Sequence, residues 1–168
     1  AQDVQNNGGW MRGPYTVSRA TDKSLDILIK VVGNKSKAFA SAKPGTPLKF
    51  GGKFKVPIVE GILTASSSSS ETTTTTTPKR VVLISTGVGI GPCVGAVEKL
   101  LSEDDFSGKV DLFASFRTQP EVIYDEYLNG LMMGVQQNQF RWKPWITSDM
   151  GRISASDESV RMVVTSQD

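Results

Sequence analysis

The chain is predicted to be α/β with a β part, in which antiparallel strands forming part of a small barrel precede a parallel sheet with helices on both faces. Three observations predict this. Residues 81–85 contain four Val, Leu or Ile in a run too short for a helix, the pattern of a strand buried on both faces. The run breaks into Thr86-Gly87-Val88-Gly89-Ile90-Gly91-Pro92, after which Val94, Val97, Leu100 and Leu101 recur at helical spacing. Ahead of it lie short turn-linked strands, set apart by residues 66–77, which are five serines, one glutamate and six threonines. Such a tract has nothing to bury and cannot offset its own ordering entropy. The expected units are therefore 1–64, the antiparallel part; 65–78, the Ser/Thr-rich linker; and 79–168, the α/β part.

Residues 1–11 show little periodicity and suit an irregular or partly paired lead-in. Residues 14–18 read as a short strand. In 25–32, Leu25, Ile27 and Ile29 alternate with Asp26, Leu28 and Lys30, a strand with one face buried. Residues 36–42 make one or two helical turns. Residues 47–50 and 54–58 read as strands broken at Gly51-Gly52. After the glycine loop and its helix, 102–109 is a polar connection and 110–116 a second parallel strand. Residues 121–131 place Val122, Ile123, Tyr127 and Leu131 on one face of a helix. Phe140–Ile146 reads as a third strand interrupted at Pro144, and 157–164 as the start of another helix.

Composition excludes several functions. Nineteen basic and seventeen acidic residues are mixed along the chain for a net charge of +2, which leaves no electrostatic footprint for nucleic acid. Trp142 and Trp145 among Arg141 and Lys143 read as an ordinary half-buried strand rather than a stacking platform. No apolar run is long enough to span a membrane, so a soluble or peripherally associated protein is expected. No signal peptide is recognisable, and a mature chloroplast or mitochondrial protein is as compatible with the sequence as a cytoplasmic one. The single Cys93 excludes an internal disulfide or a cysteine-based zinc site, and no metal site is expected. There is no histidine, so serine–histidine and cysteine–histidine catalysis are excluded, no catalytic side chain is assigned, and chemistry must come from a bound cofactor.

A strand, a glycine turn and a helix bring free backbone N–H groups and the positive end of a helix dipole to one point, which suits a phosphate or pyrophosphate. The alternative is a tight reversal with no guest. The spacing differs from G-x-G-x-x-G, because the third glycine comes one residue early and is followed by Pro92. No G-K-[ST] and no nucleophile elbow occur, which leaves kinases and hydrolases unsupported.

With these residues in place, the chain resembles the ferredoxin–NADP reductase-like flavoproteins over about residues 12–152. Tyr15-Thr16-Val17-Ser18 is similar to the family's R-x-Y-[ST] strand, and Gly33-Asn34-Lys35-Ser36 to its G-x-x-S turn at the flavin pyrophosphate. Lys43-Pro44-Gly45 and Gly51-Gly52 resemble the segment closing the barrel. The loop from Thr86 to Pro92 is similar to T-G-x-G-[IL]-[AG]-P, which receives the NAD(P) pyrophosphate. Ser115-Phe116-Arg117-Thr118 with Tyr124 resembles G-x-R-[TS]…Y beside the adenosine ribose. The sequence departs at Gly13, where the family has its arginine, with Arg12 one place further back. It begins at about the fourth strand of such a barrel and ends before the family's last strand.

The resemblance implies a partial flavin-type barrel followed by an NAD(P)-binding-type domain. It implies FAD held by Arg12, Tyr15, Thr16, Ser18, Gly33 and Ser36, and NAD(P)H held by Thr86, Gly87, Gly89, Gly91, Pro92, Ser115, Arg117 and Tyr124. Each has a plainer role beside this one: Tyr15 as a half-buried strand residue, Ser36 as a helix cap, Arg117 as a solvated strand-end charge. Cys93 is either a thiol acidified by the helix dipole or a small packing residue, the latter preferred. The implied activity is an NAD(P)H-linked flavin oxidoreductase serving an iron–sulfur or haem electron-transfer partner. The alternative is a non-catalytic, reductase-like scaffold acting as a structural or docking subunit of a larger assembly.

Overall fold

The computed structural model describes residues 2–3, 9–10, 15–49, 58–59, 62, 79–104, 106–134, 138–158 and 160–161. Two antiparallel pairs come first. β1 (Gln2–Asp3) pairs with β2 (Gly9–Trp10), and β3 (Val17–Ala20) with β4 (Leu25–Ile27). The turn between β3 and β4 is closed by the Thr21 hydroxyl, which accepts from the N–H groups of Lys23 and Ser24. β4 is shorter than the strand predicted over 25–32. The chain leaves the ladder at Leu28, whose side chain turns into the main apolar core, while Val31 and Val32 are exposed.

Helix α1 (Asn34–Ala40) follows. Residues 46–49, the described part of the strand predicted at 47–50, are irregular and exposed, and Ile58 lies in a helical turn rather than a strand. Gly51-Gly52 and the Ser/Thr tract lie outside the described residues.

The second half is a regular β–α–β–α–β unit. β5 (Arg80–Thr86), α2 (Ile90–Ser102), β6 (Lys109–Phe116), α3 (Asp125–Met133) and β7 (Phe140–Ile146) follow one another, and the short α4 (Thr147–Met150) ends the run. The strands lie in the order β5-β6-β7, all parallel, with Val81 opposite Val110 and Val110 opposite Phe140. This is the adjacency expected of 81–85 and 110–116. Pro144 does not interrupt β7, because that strand pairs on one side only among the described residues and the missing N–H costs no ladder bond there.

Helical residues lie on both faces of the sheet, as expected, with α2 and α3 together on one of them. Val81, Leu83, Val110, Leu112, Ala114, Phe116, Phe140, Trp142 and Ile146 form one face, and both α2 and α3 pack on it in one core. Each crossover in a β5-β6-β7 order moves the same way across the sheet, and right-handed crossovers then place both helices on the same side. The opposite face carries Val82 and Phe113, against which Ile153 and Val160 pack. Front-half residues Leu28, Ile58, Val59 and Ile62 also pack against the helix-side core. No helix among the described residues is long and apolar enough to cross a membrane.

Candidate functional site: the glycine turn after the first parallel strand

β5 ends at Thr86, in extended conformation at φ −133°, and the chain makes a single 3₁₀ turn over Gly87–Gly89 before α2 begins. Gly87 is the residue that needs to be glycine for backbone reasons, because its φ is +49°. Gly89 has φ −63°, a conformation open to any residue. A Cβ on Gly89 would meet only the Ser85 Cβ at 3.8 Å, so the space over this residue is open. The N–H groups that open the turn have no partners inside the helix and point to this end, whereas the Ile90 N–H at the start of α2 donates to the Gly87 carbonyl. Pro92, in the first turn of α2, removes an N–H that the helix does not use.

Gly91 has a different task. A Cβ there would lie 2.4 Å from the Ser18 hydroxyl and 3.2 Å from the Leu28 Cβ. Its lack of a side chain admits the front hairpin, so strand–helix packing accounts for this glycine without any ligand. Gly95, one turn on, is tighter still, with a virtual Cβ 2.0 Å from the Ser18 carbonyl oxygen. Spacing within the loop could not distinguish these uses, because the approaching strand lies more than seventy residues away in sequence.

Ser115 pairs directly with Thr86 across the sheet, and both sit at strand ends beside the turn. Arg117, exposed, follows β6. Its N–H donates to Glu121 Oε2 at 3.2 Å, and its carbonyl accepts from the Ser148 N–H at 3.0 Å. Thr86, Gly87, Gly89, Ser115 and Arg117 thus border one end of the parallel sheet, where an open α/β sheet binds its ligands. Tyr124, at the end of the segment that leads on from Arg117, is the N-cap of α3, in left-handed conformation with φ 63°, the one described non-glycine residue with positive φ.

The residues assigned to flavin are distributed over the front half. The Tyr15 ring meets the Phe39 ring edge-on at 5.1 Å between centroids. Thr16 is exposed and Ser18 is buried beneath α2. Gly33 is the N-cap of α1, and the Ser36 hydroxyl donates to the Gly33 carbonyl while accepting from the N–H groups of Val32 and Gly33. Arg12 lies outside the described residues.

Cys93 is buried beside the Ser85 hydroxyl, and burial pushes its thiol up from the ordinary range despite the nearby helix start. The preferred packing role is the one the surroundings fit. The native fold keeps the thiol protonated, so its part in stability is intact below the usual thiol range and declines as pH rises through it. Alkylation by iodoacetamide at pH 8 is expected to be at least about tenfold slower in the folded protein than in urea. Equal rates would place the thiol at the surface.

Residues missed in the sequence are Arg19 and Glu98. Arg19 Nη2 lies 2.6 Å from Glu98 Oε1 and its Nε donates to Oε2 at 3.0 Å, while the Tyr127 hydroxyl donates to the same carboxylate. No local pattern marks a pair separated by 79 positions.

The family model of the oxidoreductase NAD-binding domain matches residues 83–167, just over half of the chain. No curated protein sequence matches it. Among solved structures, the chain is similar to ferredoxin-NADP+ reductase from Plasmodium falciparum, with 13% identity and TM-score 0.52 over 87% of this chain and 54% of that one. It is also similar to a ferredoxin NADP+ reductase from Neisseria gonorrhoeae, solved with bound FAD and NADP, with 20% identity and TM-score 0.50 over 91% and 55%. The chain therefore spans about half the length of these reductases. The match begins within β5 and runs through the glycine turn, α2 and all three parallel strands, so the chain belongs to the oxidoreductase NAD-binding domain family and has, in part, the fold of the ferredoxin-NADP+ reductases.

Proposed function

We propose that the chain is the nucleotide-binding part of an NAD(P)H-linked flavin oxidoreductase that passes electrons from nicotinamide through FAD to an iron–sulfur or haem partner. The carrying observation is the open space over Gly89 at the start of α2, with Gly87 in the left-handed conformation. An approaching pyrophosphate would meet the leading N–H groups of the turn there, with the dipole of α2 behind them. Thr86 and Ser115, paired at adjacent strand ends, would border the nucleotide, and the exposed Arg117 would supply a fork suited to a ribose or its 2′-phosphate. When bound, the two cofactors supply hydride chemistry, and the protein contributes positioning and exclusion of water.

A second reading, a non-catalytic docking subunit of a larger electron-transfer assembly, is favoured by one observation. Tyr15 and Ser36 are engaged within the fold, by Phe39 and by Gly33, and Ser18 is buried beneath α2. Calorimetric titration with NADH and NADPH, together with an absorption spectrum of the isolated protein, separates the two. Binding of either nucleotide with flavin bands supports the reductase, and a colourless folded protein that binds neither supports the docking subunit.

The same titration tests the site. Gly89→Val is expected to weaken nucleotide binding at least about tenfold, about 1.4 kcal/mol. Because φ is −63° and only the Ser85 Cβ is near, stability should change by less than about 1 kcal/mol. Equal affinity in the variant would move the phosphates elsewhere.

A further inference from the structure

We propose that Arg19, carried by the front hairpin, is a positioning residue that fixes Tyr124 at the edge of the nucleotide side. The inference rests on the nucleotide-binding reading above for its functional half. Gly91 and Gly95 let β3 lie directly on α2, and Glu98, the next residue along the same stripe of the helix, then meets Arg19. The carboxylate holds the guanidinium through both of its oxygens, a geometry that fixes orientation as well as distance. So held, the cation lies over two rings, 4.6 Å from the centroid of Tyr127 and 5.5 Å from that of Tyr124. The Tyr127 hydroxyl donates to Glu98, which closes the cluster.

Tyr124 is where such support is needed. A tyrosine in the left-handed region is held against its own backbone preference and persists only where the surroundings over-determine it. Its carbonyl accepts the N–H of Leu128 at 2.8 Å and so starts α3, and Leu128 is fully buried in the core. A change at Tyr124 therefore alters the entry of α3 and, with it, the segment that connects back to Arg117. The arginine sits on an antiparallel hairpin and the tyrosine on the parallel-sheet unit. This cluster makes the nucleotide side sensitive to the placement of the front half.

The test uses the full chain with labelled tyrosines and calorimetry. In Arg19→Leu, the Tyr124 Cα and Hα resonances should leave the left-handed range, and the Leu128 amide should exchange at least about tenfold faster. Affinity for whichever of NADH and NADPH the wild type binds should fall at least about threefold. Arg19→Lys keeps a cation over the rings and should restore most of both effects. Glu98→Gln, which keeps the volume and removes the charge, serves where Arg19→Leu fails to fold and should shift the same resonances. Unchanged Tyr124 resonances overturn the proposal, and so does a shifted Tyr124 with unchanged affinity. A wild type that binds neither nucleotide removes the functional reading instead, and the Tyr124 resonances alone then decide whether Arg19 holds this residue.

Discussion

Replacing Gly95 by alanine is expected to destabilise the protein by about 2 kcal/mol or more, although the same exchange in an open helix stabilises it by about 1 kcal/mol. The reversal comes from what the new methyl group would meet. Its carbon would lie 2.0 Å from the Ser18 carbonyl oxygen and 3.2 Å from the Ser18 carbonyl carbon. Both are main-chain atoms of β3, which is paired to β4, so no side-chain rotation relieves the clash. The hairpin must lift off α2, uncovering Leu28 and stretching the Arg19–Glu98 pair. Gly130 in α3 is the control. A Cβ there meets nothing within 4 Å, and Gly130→Ala should stabilise by about 0.5–1 kcal/mol. Urea unfolding of the two variants beside wild type checks both signs. A Gly95→Ala protein as stable as wild type would mean that β3 does not lie on this helix.

What was legible in the sequence is what short-range pattern determines. The runs at 81–85 and 110–116 are dense in β-branched and aromatic residues, and a strand buried by its neighbours demands that density wherever it stands. The glycine turn was legible because strand, turn and helix are contiguous. That α2 and α3 share one side of the sheet was not, since this depends on strand order, which no local window carries. β4 was read too long because the alternation of Leu25, Ile27 and Ile29 is real, but Leu28 finds a deeper apolar site against α2 than a ladder offers. Tertiary burial there overrides strand propensity.

The candidate site divides along the same line. Gly87 and Gly89 do what a turn at a helix start requires, which spacing can suggest. Gly91 sits in the same motif, yet its neighbour is Ser18, and glycine alone does not say whether a ligand or a strand approaches it. Ser36, read as either a phosphate ligand or a cap, makes its hydrogen bonds to Val32 and Gly33. Arg19 and Glu98 carry no motif at all. Their meeting is set by the two glycines that precede Glu98 on the helix, and a pair of small residues four apart signals a close approach without saying which strand makes it.

Arg141→Leu is expected to cost about 2–3 kcal/mol at neutral pH, more than an exposed ion pair can explain. Arg141 itself is half exposed, but its partner Asp111 is 4% exposed on the sheet face opposite α2 and α3. Asp111 Oδ1 accepts from Arg141 Nε at 2.6 Å, and Oδ2 lies 3.4 Å from Arg80 Nε, so two arginines on the flanking strands serve one carboxylate. Removing Arg141 takes away the shorter contact and leaves a buried charge that depends on Arg80 alone. Removing Asp111 as well should undo part of the damage, because Arg80 and Arg141 positions reach water more readily than the carboxylate does. The double variant Asp111→Leu/Arg141→Leu should therefore be at least about 1 kcal/mol more stable than Arg141→Leu alone. Leucine at 111 would stand beside Val82, on a face where Phe113 already packs against Val160. Chemical unfolding of the two single variants, the double variant and wild type closes the cycle. If the double variant is no more stable than Arg141→Leu, the loss comes from packing of the arginine stem and not from the stranded carboxylate.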